Sequence, residues 1–326
     1  MSRRHAAGAE SARGLLFTVL GEFVLPGGGT AWTSSFIGVF GRIGVEEKAT
    51  RQALMRTAAD GWLKAERAGR RTLWHLTPAA ERLLTEGTGR IYGFTGTARE
   101  WDGRWLLVLA RAPETDRPAR HLLRTRLSWA GFGSPAPGVW ISPHTRAMPD
   151  AEQALAEAGL SGDAQIFTAE HQAGQVAGRL AEMVRQAWDL DELEDRYRTF
   201  IAGFGGPGNG GPGNGGPGNG GPGNGGSTVA FDPLARVVEL VHAWRRFPWT
   251  DPALPAALLP PGWSGTEAAR LFTLLHDRWS ADAAAEWRRL DQGDGPQPRG
   301  RGQVAGGPAT RRPADGGLAG RGPAGG

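Results

Sequence analysis

A pentapeptide repeat divides this chain into two parts. Four copies of GGPGN run from Gly205 to Asn224, and Gly225 and Gly226 close the repeat. Glycine, proline and asparagine offer no apolar side chain to bury, and a period of five differs from the three-residue period of collagen. We therefore predict a flexible linker over residues 205–226, with one folded part before it and a smaller one after it.

The part after the linker contains two helical patterns. Apolar residues recur at helical spacing in Leu234–Phe247 and again in Glu267–Trp279, whereas Pro248–Pro261 between them holds too many prolines for a helix. We predict a C-terminal helical domain over residues 227–290, which either folds back on its own chain or pairs with a second copy. Residues 291–326 have few apolar side chains, so we predict a disordered tail there.

The composition excludes several kinds of chemistry. The chain has no cysteine, which excludes disulfides, thiolate zinc sites and a cysteine nucleophile. It has no apolar run long enough to span a bilayer and no apolar core of a signal peptide, so we expect a soluble cytoplasmic protein. The histidines show no metal-ligand spacing, and no nucleotide-binding loop or hydrolase motif is present. We predict no catalytic site, no metal site and no cofactor, and interpret the chain as a non-enzyme.

Residues 13–92 combine helical patterns with one short hairpin. The sequence predicts helices over residues 13–25, 34–44, 46–61 and 78–85, and strands at 62–63 and 73–76. Gly44 marks a tight turn that sets the third helix across the second. The order of helix, helix, turn, helix and hairpin is typical of a winged helix-turn-helix, in which the third helix enters the DNA major groove.

Seven residues on two of these elements are the predicted DNA contacts. Arginine and glutamine can hold the edges of guanine and adenine, and arginines at a turn that cannot bury them suit phosphates. The outer face of the third helix and the turn of the hairpin supply the set. It consists of Lys48, Arg51, Gln52, Arg56, Arg67, Arg70 and Arg71. For any single arginine, the alternative of plain solvated surface stays open. Thr50 and Thr57 stand on the inner face of the helix, where apolar residues are expected.

Residues 99–204 alternate strands and helices. Strands are predicted at residues 104–110, 138–142 and 164–168, and helices at 117–129, 150–159 and 173–201. We predict a ferredoxin-like middle domain, a small sheet with helices on one side. The whole chain is then of the α+β class, with a winged helix-turn-helix, this α/β middle domain and a helical domain after the linker.

Four blocks along the chain carry a family resemblance. Gly61-Trp62-Leu63 follows the third helix, and the later blocks are Trp101–Arg111, Leu123–His144 and Phe247–Trp263. In these blocks the chain resembles the PaaX family, repressors of bacterial phenylacetate catabolism genes. The inward threonines of the third helix and the GGPGN insert are departures from the family pattern.

The resemblance also raises an enzyme alternative, because relatives of PaaX have a middle domain similar to the Cas2 nucleases. A nuclease of that type needs an acidic metal ligand near the end of its first strand. Here the strand ends in Leu109, Ala110 and Arg111, and Asp102 precedes it as a turn residue. We therefore expect the Cas2-like scaffold without nuclease chemistry.

The resemblance implies a ligand-released repressor. A homodimer would bind double-stranded operator DNA, and an acyl-coenzyme A effector such as phenylacetyl-coenzyme A would release it. The effector pocket is not assigned, and Arg120, Arg124 and Arg126 on one predicted helix are candidates for the coenzyme phosphates. The alternatives are a DNA-binding regulator without a ligand and, less favoured, a Cas2-like nuclease. No membrane partner is expected.

Overall fold

The computed structural model describes residues 12–96, 101–172, 179–206 and 231–292. Helices and two antiparallel sheets make up these ranges. Nearly all of the predicted linker and of the predicted tail lies outside them. Within the described part, no helix is both long and apolar enough to cross a bilayer.

The N-terminal elements follow the predicted order with one addition. Helix α1 covers residues 12–24, its last turn being the π-helical stretch Leu20–Val24. The elements after it are β1 (Thr30–Trp32), α2 (Thr33–Arg42), α3 (Glu47–Ala59), β2 (Leu63–Ala68), β3 (Arg71–Leu76) and α4 (Pro78–Gly93). Strand β1 was not predicted, and it pairs antiparallel with β3 in a sheet of order β1-β3-β2. The hairpin strands and α4 are longer than predicted.

Local turn chemistry explains where these elements end. Gly44 has a φ of 76° and Gly61 a φ of 79°, left-handed values that favour glycine and that stop α2 and α3. The hairpin turn has two residues, Gly69 and Arg70, with Gly69 at φ 63° in the first position. The Thr77 side chain accepts a hydrogen bond from the Ala80 amide, which caps α4.

The central sheet has the ferredoxin-like connection order βαββαβ. Its elements are β4 (Arg104–Leu109), α5 (Arg117–Trp129), β5 (Gly133–Ala136), β6 (Val139–Ser142), α6 (Met148–Glu157) and β7 (Gln165–Glu170). The strands pair antiparallel in the order β5-β6-β4-β7. The predicted middle domain lacked β5, which is short and rich in small residues.

Both faces of the central sheet are covered, so the prediction of helices on one side is wrong. Leu106 and Val108 point toward α5 and α6, where Leu127 is also fully buried. Trp105 points the other way, into a cluster with Val184 of helix α7 (Leu180–Ala187). The segment predicted as one helix over residues 173–201 contains parts of two helices. Helix α8 (Leu190–Phe204) starts after a break that Asp189 caps, and residues 173–178 lie outside the described ranges.

The C-terminal part is more helical than predicted, although its first helix ends three residues earlier, at Trp244. The elements of this part are α9 (Pro233–Trp244), the short α10 (Phe247–Thr250), a 3-10 turn at Ala256–Leu258 and α11 (Gly265–Gln292). Part of the proline-rich segment is therefore helical, because Pro248 occupies the first turn of α10, where its missing N–H is not needed. Helix α11 runs two residues into the predicted tail.

One hydrophobic core joins the two ends of the chain. It contains buried residues of α1, α2 and α4 together with residues of α8, α9 and α11. The rings of Phe23 and Phe36 lie 5.5 Å and 5.7 Å from that of Trp287. Trp244 is fully buried and stacks on Phe272 at 4.8 Å. Of the two alternatives for the C-terminal helices, the structure shows the one in which they fold back on their own chain.

Candidate nucleic-acid interface

Helix α3 has one buried face and one exposed face. Ala53 and Leu54 point into the core with 5% and 0% of their surface exposed. Among the residues that face solvent are Lys48, Arg51, Gln52, Met55 and Arg56, and Glu47 and Ala59 at the two ends of the helix are exposed as well. This separation follows from the 3.6-residue period of the helix, and it leaves a cationic, hydrogen-bonding surface open along the outer side.

Two threonines occupy positions on the inner face of α3 where apolar residues were expected. Both Thr50 and Thr57 are fully buried. The Thr50 hydroxyl donates to the Glu46 carbonyl at 3.1 Å, whereas Thr57 Oγ1 has no hydrogen-bond partner within the described chain. Threonine side chains are small enough for α3 to lie close to its neighbours. The helix therefore keeps the predicted face toward the core although two of its inner residues are polar.

The exposed cations of α3 are little engaged by the protein. Arg51 forms an ion pair with Glu47 one turn earlier, at 2.7 Å, with both side chains more than half exposed. Such an exposed pair is weak and can exchange partners. Over the described ranges, neither Lys48 nor Arg56 forms an ion pair, so their charges are available to an anionic partner.

The β2–β3 hairpin projects from the fold. After the buried Leu63, every residue of β2 is exposed on both faces. Arg67 and Arg70 are exposed near the turn, as expected for phosphate contacts. Arg71 differs from the prediction that the turn leaves all three arginines in solvent. Its guanidinium lies 4.6 Å from the ring centroid of Trp32 in β1, and the residue is partly buried.

Helix α2, which precedes the turn into α3, is held by the C-terminal helices. Arg42 donates to Glu286 at 2.6 Å and to Asp232 at 3.3 Å, and these carboxylates raise its pKa although burial opposes them. Asp291 accepts from the Ser35 hydroxyl at 2.6 Å and from the Trp32 amide at 3.0 Å. Sequence reasoning missed these positioning residues. The spacing of Trp279, Ala283 and Trp287, four residues apart, was the signal that α11 continues.

The three arginines considered for coenzyme phosphates lie on α5 in different surroundings. Arg126 pairs with Glu157 of α6 at 2.6 Å and lies over Trp129. Arg124 lines a polar cavity of about 530 Å³, and Arg120 is exposed. The three arginines therefore do not form a single cluster of unpaired cations.

The beginning of the first central strand carries a turn. Asp102 Oδ1 accepts a hydrogen bond from the Arg104 amide at 3.0 Å across Gly103, which agrees with its interpretation as a turn residue. Among the described residues, no group of three or more histidine, aspartate or glutamate side chains could hold a metal ion.

Comparison with known families matches three regions in the order that the sequence suggested. Residues 11–80 match the family described as PaaX-like protein, residues 98–181 match the PaaX protein central Cas2-like domain, and residues 228–289 match the PaaX-like protein C-terminal domain. The chain belongs to the PaaX family. Its central sheet is accordingly a Cas2-like domain, and the predicted family membership is confirmed.

Two relatives of this PaaX-family chain extend over most of its length. The transcriptional repressor PaaX of Escherichia coli (strain K12) is 29% identical over 284 residues, which are 86% of this chain and 85% of that protein. The solved structure of the uncharacterized protein Rv0674 from Mycobacterium tuberculosis superposes with a TM-score of 0.55 at 22% identity. It covers 85% of this chain and 98% of that structure, and it shows a shared fold.

Proposed function

We propose that this PaaX-family protein is a transcriptional repressor that binds operator DNA through α3 and the β2–β3 hairpin. The observation that carries the proposal is the division of α3 into a buried face and an exposed face with three cations and an amide. The curated relative of similar length is named a transcriptional repressor, which supports the same function for this chain. The function needs no catalysis, and we propose a regulator and not an enzyme.

We infer a winged helix-turn-helix from the order of α1, α2, α3 and the β2–β3 hairpin. Helix α3 lies in the major groove, where Arg51 and Arg56 suit guanine edges and Gln52 suits adenine. Met55 is 63% exposed on the same face, and its apolar side chain suits a thymine methyl group. Arg67 and Arg70 of the hairpin contact phosphates and set the position of the helix.

The remaining parts of the chain have proposed roles too. Residues 13–92 are the DNA-binding domain, residues 99–204 the ferredoxin-like middle domain, and residues 227–290 a helical domain that supports the first. A homodimer presents two α3 helices about one DNA turn apart. An acyl-coenzyme A effector favours a state that does not fit both half-sites. To empty a nearly full operator, it must prefer that state by about 5 kcal/mol.

Operator binding is tested by fluorescence anisotropy with labelled DNA from upstream of the protein's own gene, at fixed salt. Arg56→Ala and Arg51→Ala are each expected to weaken specific binding by about 1–3 kcal/mol. Arg288→Ala, an exposed arginine on α11, is the matched control and leaves the affinity unchanged. Equal affinities for all three variants would show that α3 does not read the DNA.

The effector arm adds phenylacetyl-coenzyme A to the preformed complex. Release of the labelled DNA is the expected result, whereas an intact complex at saturating ligand would favour the regulator without a ligand. Incubation of the same DNA with Mg²⁺ provides a further check, because cleavage would contradict the proposed non-enzymatic function.

A further inference from the structure

Two apolar cavities meet at one partly buried cation. A cavity of about 310 Å³ lies between α1, α4 and α9, with Phe17 and Leu84 in its wall. A second cavity of about 1130 Å³ lies between α8, α9 and α10, with Phe200 in its wall. Ile91, Arg245 and Trp249 line both. We name the pair the Arg245 cavities.

Arg245 has no counterion in the described part of the chain. Its Nε is buried and has no hydrogen-bond partner there. Burial lowers the pKa of its guanidinium, and the charge of the neighbouring Arg246 lowers it further. His242 one turn earlier adds no negative charge. Arg42, which joins α2 to the C-terminal helices, has two carboxylates by contrast. A partly buried cation without an anion is costly, so this arrangement calls for a partner that the chain does not supply.

The carboxylates near the Arg245 cavities are directed elsewhere. Glu22 lines the smaller cavity, where it accepts from the Tyr92 hydroxyl and from His276 Nε2 at 2.8 Å. Glu192 lines the larger cavity and pairs with Arg196. Asp195, which also lines it, is exposed and forms no ion pair with Arg245. The Arg245 guanidinium is therefore a partly buried charge that lines both cavities, whereas Arg246 lines only the larger one and is exposed.

The cation also packs against the N-terminal part of the fold. A Cβ placed on Gly14 of α1 would lie 3.3 Å from an Nη atom of Arg245 and 3.1 Å from His242 Cε1. A larger residue here would require these two side chains to shift by a few tenths of an ångström. The walls of the smaller cavity belong to α1 and α4, which share a core with α2 and α3. A ligand here would change the packing of the helices that carry α3.

We propose that the Arg245 cavities bind a small molecule with an apolar body and an anionic group that pairs with Arg245. A free arylcarboxylic acid and an acyl thioester of a phosphorylated carrier share this chemistry, and the experiment separates them. The cavities have the size and apolar lining of small-molecule sites. The proposal assigns a binding site to the effector of the proposed repressor. Only the effect of the ligand on DNA binding rests on that proposed function.

The test measures ligand binding to the full chain by titration calorimetry without DNA. The probes are phenylacetate, its uncharged isostere phenylacetamide, and phenylacetyl-coenzyme A. Phenylacetate or the thioester is expected to bind, and phenylacetamide at least about tenfold more weakly than the acid where the acid binds. Binding of the acid identifies a free carboxylate as the ligand, and binding of the thioester alone identifies the phosphorylated carrier. Absence of binding by every probe at about 1 mM overturns the site.

The variants isolate the cation. Arg245→Met keeps an apolar side chain of similar length and is expected to weaken binding of the charged probe at least about tenfold. Arg288→Met removes an exposed charge of α11 that lines neither cavity, and it is expected to change binding less than about twofold. Equal loss in both variants, or none in Arg245→Met, overturns the proposal.

A stability measurement separates binding from a structural role. Arg245→Met without ligand should melt at the same or a higher temperature, because it removes a partly buried cation that has no counterion. A clear drop in its melting temperature would identify Arg245 as a structural residue and overturn the site. Since DNA is absent, failure here leaves the α3 proposal intact, and failure of operator binding leaves this site testable.

Discussion

The hydrophobic core at the ends of the chain and the core of the central sheet are built in different ways. The central core draws its residues from one continuous stretch, between Leu106 and Leu160. The other core needs α1, α2 and α4 from one end and α8, α9 and α11 from the other. The proposed DNA-binding domain is therefore completed by helices that follow it by about a hundred residues or more, whereas the core between the central sheet, α5 and α6 uses residues of the central domain alone.

The shared core links the C-terminal helices to α2, the helix that precedes α3. The outer face of α3 is free for a partner, but the helix before it is fixed by Arg42 and Asp291 contacts to the C-terminal elements. A change in the packing of α9 or α11 therefore reaches α2 directly. A change in the central core reaches it less directly, through the smaller cluster around Trp105 and Leu254 and through the contact of His144 with the Pro252 carbonyl.

Removal of Trp244 should have the largest effect on stability. The ring is fully buried, stacks on Phe272 and donates to the Ile91 carbonyl at 3.3 Å, so it joins α9, α11 and α4. Trp244→Ala is expected to lower the free energy of unfolding by about 3–5 kcal/mol. Urea denaturation measures it, with Trp129→Ala as the control, since that ring is 54% exposed on the central domain. Equal losses would contradict a core shared by both ends.

Loss of Asp291 should have a smaller effect on the same core. The Ser35 hydroxyl is fully buried and would lose its acceptor, as would the Trp32 amide. Asp291→Ala is expected to cost about 1–3 kcal/mol, whereas Asp291→Asn keeps an acceptor oxygen and most of the stability. Asp282→Ala, at an exposed position of α11, is the matched control in denaturant unfolding. A loss in the control as large as that in Asp291→Ala would refute the assigned role.

Much of this division could be predicted from local sequence. The apolar spacing of α1, the turn at Gly44 and the capping of α4 by Thr77 follow from nearest neighbours, and the structure has them where expected. The exposed face of α3 follows from helical spacing too. The family blocks identified the order of the three regions.

The features that depend on distant contacts were not predictable in this way. Helix α4 continues past Gly87 and Gly89 because the Ile91 carbonyl accepts a hydrogen bond from Trp244 and the Tyr92 ring packs on Phe272, which outweighs the low helix propensity of glycine. Arg71 leaves the solvent because it meets Trp32 on β1, a strand that exists only through its pairing with β3. The position of Arg71 was missed for the same reason as β1.

The pH dependence of unfolding should report the contact between α1 and α9. Burial, followed by Arg245 and Arg246, lowers the pKa of His242 to about 4 from its ordinary 6.5, and Nδ1 lies 3.2 Å from Thr18 Oγ1. The unfolded chain takes up this proton near pH 6.5 and the folded chain near 4. The stability due to the neutral ring is thus present above pH 6.5 and lost as the pH falls toward 4.

His242→Gln keeps a hydrogen-bonding group and cannot titrate. Between roughly pH 7 and pH 4.5, the wild type should lose about 1–2 kcal/mol more than this variant, a figure below the full shift because the ring is partly exposed. Urea denaturation at each pH gives the comparison. Parallel curves for the two proteins would mean that the ring titrates normally and that α9 does not bury it against α1.

The smallest effect is expected in the central domain. Arg126 and Glu157 join α5 to α6 at 2.6 Å, but their side chains are 43% and 30% exposed, so water screens the pair. A double-mutant cycle with Arg126→Ala and Glu157→Gln should give a coupling energy of about 0.2–1 kcal/mol. Because this core is built from its own residues, operator affinity should stay unchanged in all three variants. A loss of DNA binding here would show that the central domain, and not only the shared core, controls the position of α3.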